Sequence, residues 1–190
     1  MKDPATVPLC GRANEVLRFA AALGDALRGE PRLVWLCGET GAGKSRFLAE
    51  AARRLHARGL LTLQTRAVRG TAHHGLFVDL LRPFLLIPGH AQRLRAELPA
   101  DLGHDLAALL SELPAMGPAP SRRRSKPPAA LASPSRRLEV LIGVVAWLAG
   151  RRPLALLVDD LHEAPDEICA GLRHLLVRAR QAPLLVVATL

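Results

Sequence analysis

The chain has 190 residues, 49% of them hydrophobic, which is enough for a buried core and excludes a wholly disordered chain. Its 26 Lys+Arg against 17 Asp+Glu give a net charge of +9, which raises a nucleic-acid reading. Aromatic residues make up only 3% and Tyr is absent, which argues against a base-stacking platform; the 23 Arg against 3 Lys point in part to a coding bias.

The opening segment MKDPATVPLC has no apolar stretch of the kind a secretory signal needs, so none is expected. Residues 12–28 then predict an amphipathic helix, with Val16, Ala20, Leu23 and Leu27 at helical spacing and Gly29 and Pro31 ending it. RLVWLC (Arg32 to Cys37) predicts a buried parallel strand. A Gly-rich turn leads into a helix from about Lys44 to Arg58, whose apolar face is Phe47, Leu48, Ala51, Ala52 and Leu55. LLTLQTRAV (Leu60 to Val68) predicts a second strand. Strand, helix, strand argues a right-handed crossover in a parallel sheet.

His73 and His74, the only adjacent His pair, are expected to be loop residues, since neighbours do not share a helix face. Leu76 to Leu86 and Leu102 to Leu113 predict helices, punctuated by Pro88, Pro99 and Pro114. Leu113 to Ser135 holds six Pro and four basic residues and predicts an exposed linker. Residues 70–135 thus form a helical insertion with a Pro/Arg-rich linker, inside one domain spanning 1–190. Ser121 to Arg137 contributes +6 of the net charge, leaving +3 for the rest. Arg136 to Ala149 predicts a helix carrying Leu138, Leu141, Val144, Val145 and Leu148. LALLVDD then predicts a strand closing on two acids. Asp166 to Arg180 predicts a helix, with acids in its first turn and Arg178 and Arg180 in its last, as the macrodipole favours. PLLVVATL (Pro183 to Leu190) predicts a strand. The longest apolar run, Val140 to Gly150, has 11 residues, short of the ~18 that a membrane span requires. Cys10, Cys37 and Cys169 are odd in number and far apart, which fits reduced thiols in a cytoplasm and carries no zinc pattern.

One motif carries chemistry. Gly38, Glu39, Thr40, Gly41, Ala42, Gly43, Lys44 and Ser45 spell GETGAGKS, a match to GxxxxGK[ST] between a predicted strand and a predicted helix. In this composition the pattern arises by chance roughly once in a thousand chains. Glycines let the backbone approach a phosphate, the loop amides and helix N-terminus present positive charge, Lys44 supplies a mobile cation, and the Ser45 hydroxyl suits Mg²⁺. Arg46 stands where a dinucleotide fold needs its third Gly. Asp159, at the end of a buried strand, is the expected second Mg²⁺ ligand, because strands of one parallel sheet deliver their ends to one edge. Asp160 is the candidate for orienting the attacking water, one methylene shorter than Glu; Glu163 is either a surrogate base or, as favoured, a solvated loop acid.

GETGAGKS, LALLVDDLHEAP and LCGRANEV together resemble the P-loop ATPase module of the STAND and AAA-type class, above all the N-terminal ATPase of large LuxR-type bacterial transcriptional regulators. The likeness covers about residues 9–190. It implies a three-layer α/β P-loop NTPase fold with a parallel sheet of at least four strands, ATP and Mg²⁺ as cofactors, and a slow ATPase switch in the cytoplasm. It also implies that Gly11 and Arg12 lie near the adenine and ribose, with Arg46 completing the nucleotide-binding set, and that PLLVVATL lies between the P-loop and Asp159 strands. Taken without the resemblance, Gly11-Arg12 reads as a helix-opening turn with an exposed Arg. A related module would continue with a polar sensor residue, a fifth strand and a helical lid, so a fragment of a larger regulator is expected, with a homo-oligomer or downstream domains as partners. Two alternatives remain open: an initiator-like or origin-recognition-like ATPase that binds nucleic acid through Arg122 to Arg124, and a nucleotide-binding scaffold without turnover.

Overall fold

The computed structural model describes residues 12–70, 74–112 and 133–190. Helix α1 (Ala13–Leu27) leads to β1 (Arg32–Leu36), α2 (Lys44–Ala57) and β2 (Leu61–Arg66). Helices α3 (Gly75–Leu85), α4 (His90–Glu97), α5 (Ala100–Glu112) and α6 (Pro134–Ala149) follow before β3 (Leu154–Asp159). A 3-10 turn (Leu161–Glu163), α7 (Asp166–Arg178) and β4 (Leu184–Thr189) complete the order. The four strands form one parallel sheet in the order β1-β4-β3-β2. The late strand β4 is thus inserted between β1 and β3, as the resemblance implied.

Both faces of the sheet are covered. On one, Phe19, Leu23, Phe47, Leu48 and Leu55 of α1 and α2 pack on Ala155, Leu157, Leu185 and Val187. On the other, α3 to α7 pack on Leu154, Leu156, Val158, Leu184, Val186 and Ala188. Strands β3 and β4 are therefore buried on both sides, which is why they read as continuous apolar runs. Each buried Leu or Val contributes on the order of 1.5–3 kcal/mol, so this double-sided core dominates the stability of the sheet that carries the site.

Several sequence expectations are corrected. The run beginning at Arg32 is a parallel strand but not a buried one. It lies at the edge of the sheet, with Arg32 exposed and Trp35 42% exposed, because β4 takes the central place beside it. In α1 the buried face is Phe19, Leu23 and Ala26, while Ala20 and Leu27 face outward; the larger Phe19 ring sets the rotation. The linker's last residues are already structured: Ser133 caps α6, its hydroxyl accepting the Arg136 N–H at 3.3 Å, and Pro134 occupies the first turn. Helix α7 ends at Arg178, so Arg180 lies past its last turn. The short polar helix α4 was not expected; it buries only Leu94 and offers little apolar period to read. Cys10, Gly11, His73 and Arg122 to Arg124 lie outside the described residues. Among the described residues no helix is long and apolar enough to cross a membrane.

Candidate phosphate-binding site

The loop from Gly38 to Gly43 connects β1 to α2 at the edge of the sheet where all four strands end. Ala42 donates to the Glu39 carbonyl at 3.1 Å, closing a turn, and Gly41 and Gly43 sit at φ 83° and 80°, a region open to Gly and costly for other residues. Gly43 is the N-cap of α2, so that helix begins without a capping side chain and without an acid in its first turn. The positive end of the helix dipole there is met by no side-chain cap, which suits an anion such as phosphate. Arg54 and His56 in the last turn match the other end of the dipole.

Lys44 opens α2, and its Nζ donates to the carbonyls of Gly38 (2.5 Å) and Glu39 (3.1 Å), which folds the ammonium back over the loop. Ser45 and Arg46 follow on the exposed first turn, and Glu39 and Thr40 are exposed in the loop. Arg12 is not the exposed residue that the dipeptide alone suggested. Its side chain is only 17% exposed; it pairs with Glu15 at 3.6 Å, and its Nη2 donates to the Ala42 carbonyl. The residue before α1 thereby clasps the phosphate loop from outside.

Asp159 closes β3 and Thr189 closes β4. The Thr189 hydroxyl donates to Asp159 Oδ1 at 2.6 Å and accepts the Asp160 N–H at 2.7 Å. Thr189 is fully buried and pairs in register with Leu36, two residues before the loop. It therefore stands between the loop and the acidic strand end. Sequence reasoning passed over Thr189 and looked for a polar sensor further along; the signal available was a lone hydroxyl ending an otherwise apolar strand. The bond to Oδ1 fixes the orientation of the Asp159 carboxylate. Ser45 carries a hydroxyl and Asp159 an oriented carboxylate, hard-oxygen donors of the type Mg²⁺ takes.

Asp160 adopts a left-handed backbone (φ 52°, ψ 43°) as the chain turns into the 3-10 segment. Arg66, the last residue of β2, holds its carboxylate: Nε and Nη2 both reach Oδ2, at 2.7 and 2.5 Å. The hydrogen bond to Asp160, then its charge, raises the Arg66 pKa further above its ordinary value. Three residues on, Arg69 grips Glu163 with two bonds, at 2.8 and 3.3 Å. Glu163 is thus a paired acid and not the solvated one expected. Both candidate bases are held by arginines from the exit of β2, a relation that rests on strand pairing across 94 residues and left no local trace in the sequence.

No curated protein matches the chain. A family model described as the AAA ATPase domain matches residues 8–187, a span that includes the glycine-rich loop, the two adjacent aspartates and the first four residues of β4. With a four-stranded parallel sheet ordered around that loop, the chain belongs to the AAA ATPase domain family.

Proposed function

We propose that the chain is a Mg²⁺-dependent ATP-binding module that hydrolyses slowly and acts as a regulatory switch. In this reading it is the cytoplasmic N-terminal part of a larger signalling or transcriptional regulator, close to the LuxR-type STAND group. The observation that carries the slow-switch reading is the hold of Arg66 on Asp160. Both prongs take Oδ2, so the pair fixes the direction of the carboxylate and leaves only Oδ1 clear of the guanidinium to meet a water.

Binding follows from the loop. The ammonium of Lys44 exchanges two carbonyls for phosphate oxygens, an attraction of about 5 kcal/mol at 3 Å and an effective dielectric of ~20, before desolvation. Gly38 to Gly43 supply backbone approach, and Arg12 keeps the loop in place through Ala42. Ser45 and Asp159 would hold Mg²⁺, with Thr189 fixing which Asp159 oxygen faces it. When bound, Mg²⁺ neutralises charge on the phosphates. Asp160 would then orient the attacking water.

Calorimetry tests binding: ATP and ADP bind in a Mg²⁺-dependent way, and Lys44→Ala abolishes the heat. A Lys44→Ala variant that binds ATP as well as the parent overturns the site. Rapid steady-state turnover by the chain alone, lost in Asp160→Asn, overturns the slow-switch reading.

A further inference from the structure

Because all four strands run parallel, the helices that precede them end at one edge of the sheet, opposite the glycine-rich loop. The segments entering β2, β3 and β4 lie side by side there. The Leu61 N–H donates to the Pro153 carbonyl at 3.0 Å, and the Leu154 N–H to the Pro183 carbonyl at 2.9 Å. Each segment carries exposed arginine: Arg58 before β2, Arg151 and Arg152 before β3, Arg180 before β4. Neighbouring strands are about 4.8 Å apart, so the sheet sets these residues out in a row.

The acids beside the row are already taken. Arg28 and Arg32 hold Asp25, and Arg32 also holds Glu30. Among the described residues none of the four row arginines is joined to a carboxylate. Two of them rest on rings instead: Arg151 Cζ lies 4.4 Å from the centroid of Trp147, and Arg152 Cζ 5.4 Å from that of Phe84. A ring takes the face of a guanidinium and leaves its in-plane N–H donors for an anion. The helix dipole does not account for the placement, since its influence falls off within the last turn. Arg151 and Arg152 come after α6 has ended, and α7 already has Arg178 in its last turn before Arg180 follows.

We propose that this edge binds the phosphodiester backbone of a nucleic-acid duplex without reading its sequence. A row of separate cations matches a line of charges, and each duplex strand presents one phosphate per ~3.4 Å of axis. The guanidinium fork takes phosphate oxygens two at a time. A free phosphate or a single carboxylate would meet only one or two members of the row. The rings nearest the row already carry arginines and Tyr is absent, so the surface offers phosphate contacts and no stacking platform, which favours a duplex over a single strand. The contact thus falls on described residues and not on Arg122 to Arg124. It is independent of nucleotide binding, because Lys44 lies at the other edge of the sheet.

The test measures the anisotropy of a fluorescein-labelled 20-base-pair DNA duplex with the whole chain, from 50 to 200 mM NaCl. Four phosphate contacts contribute about −3.6 to the slope of log K on log[NaCl], which weakens binding on the order of a hundredfold over that range. Arg151→Gln/Arg152→Gln and Arg58→Gln/Arg180→Gln should each reduce the slope by about 1.8. The second pair removes no ring contact, so its result stands apart from any loss of packing. Arg18→Gln/Arg173→Gln, exposed arginines in the middle of α1 and α7, should keep the parent slope, as should Lys44→Ala. A DNA duplex of unrelated sequence should bind as well as the first; a strong preference between them overturns backbone recognition. Absence of binding at 50 mM, or the parent slope in both row variants, overturns the site. A slope lost only in Arg122→Gln/Arg123→Gln/Arg124→Gln moves the contact off this edge and overturns it equally. Equal binding of polyglutamate, or of phosphatidylserine vesicles, overturns the duplex as occupant. A chain that binds DNA in this way and binds no ATP sinks the function proposed above and leaves this site standing.

Discussion

Thr189 and Asp159 end neighbouring strands, and the hydroxyl of the first donates to Oδ1 of the second at 2.6 Å while accepting the N–H of Asp160 at 2.7 Å. One buried oxygen therefore orients the Asp159 carboxylate, the proposed Mg²⁺ ligand, and fixes the turn that carries Asp160. Thr189→Val keeps the shape and removes both bonds. It leaves the Asp160 N–H unsatisfied, at a cost of about 1–3 kcal/mol. Urea unfolding should show that loss, and ATP affinity should fall at limiting Mg²⁺. Thr189→Ser, which keeps the hydroxyl, should retain Mg²⁺ dependence close to the parent's. An unaltered Mg²⁺ titration in Thr189→Val would remove Thr189 from the site.

Glycine geometry in the loop separates strain from binding. An added Cβ at Gly41 meets nothing within 4 Å, so the penalty for Gly41→Ala is the left-handed backbone alone, about 1–2 kcal/mol. Gly59 has φ 77°, equally open surroundings and no part in the loop. Gly59→Ala should therefore cost similar stability by urea unfolding and leave nucleotide affinity unchanged, whereas Gly41→Ala should lower both. Equal affinities in the two variants would show that the loop's conformation is not used for phosphate.

What the sequence revealed and what it hid divide along contact range. GETGAGKS is contiguous, so its spacing alone placed a turn, a helix start and a cation together. Asp159 was legible because an apolar run ending in an acid marks a strand's C-terminal end. The edge position of Trp35 was not legible: apolar content says that a strand packs, but only the insertion of β4 decides which strand is left outside. The arginine clamps were hidden for the same reason. Arg66 and Asp160 meet because Arg66 pairs in register with Asp159, a fact about the sheet and not about either segment. The rotation of α1 differs from the period of Val16, Ala20, Leu23 and Leu27 because that period leaves out Phe19, whose ring is buried while Ala20 and Leu27 face outward.

Glu50, on α2 behind the loop, gives a pH signature. Hydrogen bonds from Arg54 and then Arg53 lower its pKa below the usual carboxylate value. A lowered folded-state pKa means the stabilisation is present above the unfolded-state value and fades as pH falls through the folded one. Glu50→Gln should therefore be less stable than the parent at pH 7, by under about 1 kcal/mol because the arginines are solvent-exposed. The two proteins should converge in strong acid. Thermal denaturation across pH 2 to 7 measures it; a constant difference over that range would rule out Glu50 ionisation as the source.

Release of Asp160 can be imitated by removing its holder. Arg66 is 71% exposed in its side chain, so Arg66→Ala should change stability little, as loss of a surface ion pair does. Its effect on turnover should be much larger if Asp160 orients water. Freeing the carboxylate should raise kcat on the scale of tenfold or more, since a displacement of about 1 Å is worth up to a hundredfold. Asp160→Asn should lower kcat, and Arg66→Ala in that background should then produce no gain, because the arginine has nothing left to restrain. Arg69→Ala provides the comparison: it removes the arginine on Glu163, leaving that acid only His162 at 3.5 Å, and keeps Asp160 held. If Arg69→Ala accelerates hydrolysis and Arg66→Ala does not, Glu163 is the base and Asp160 is a structural partner of the β2 exit.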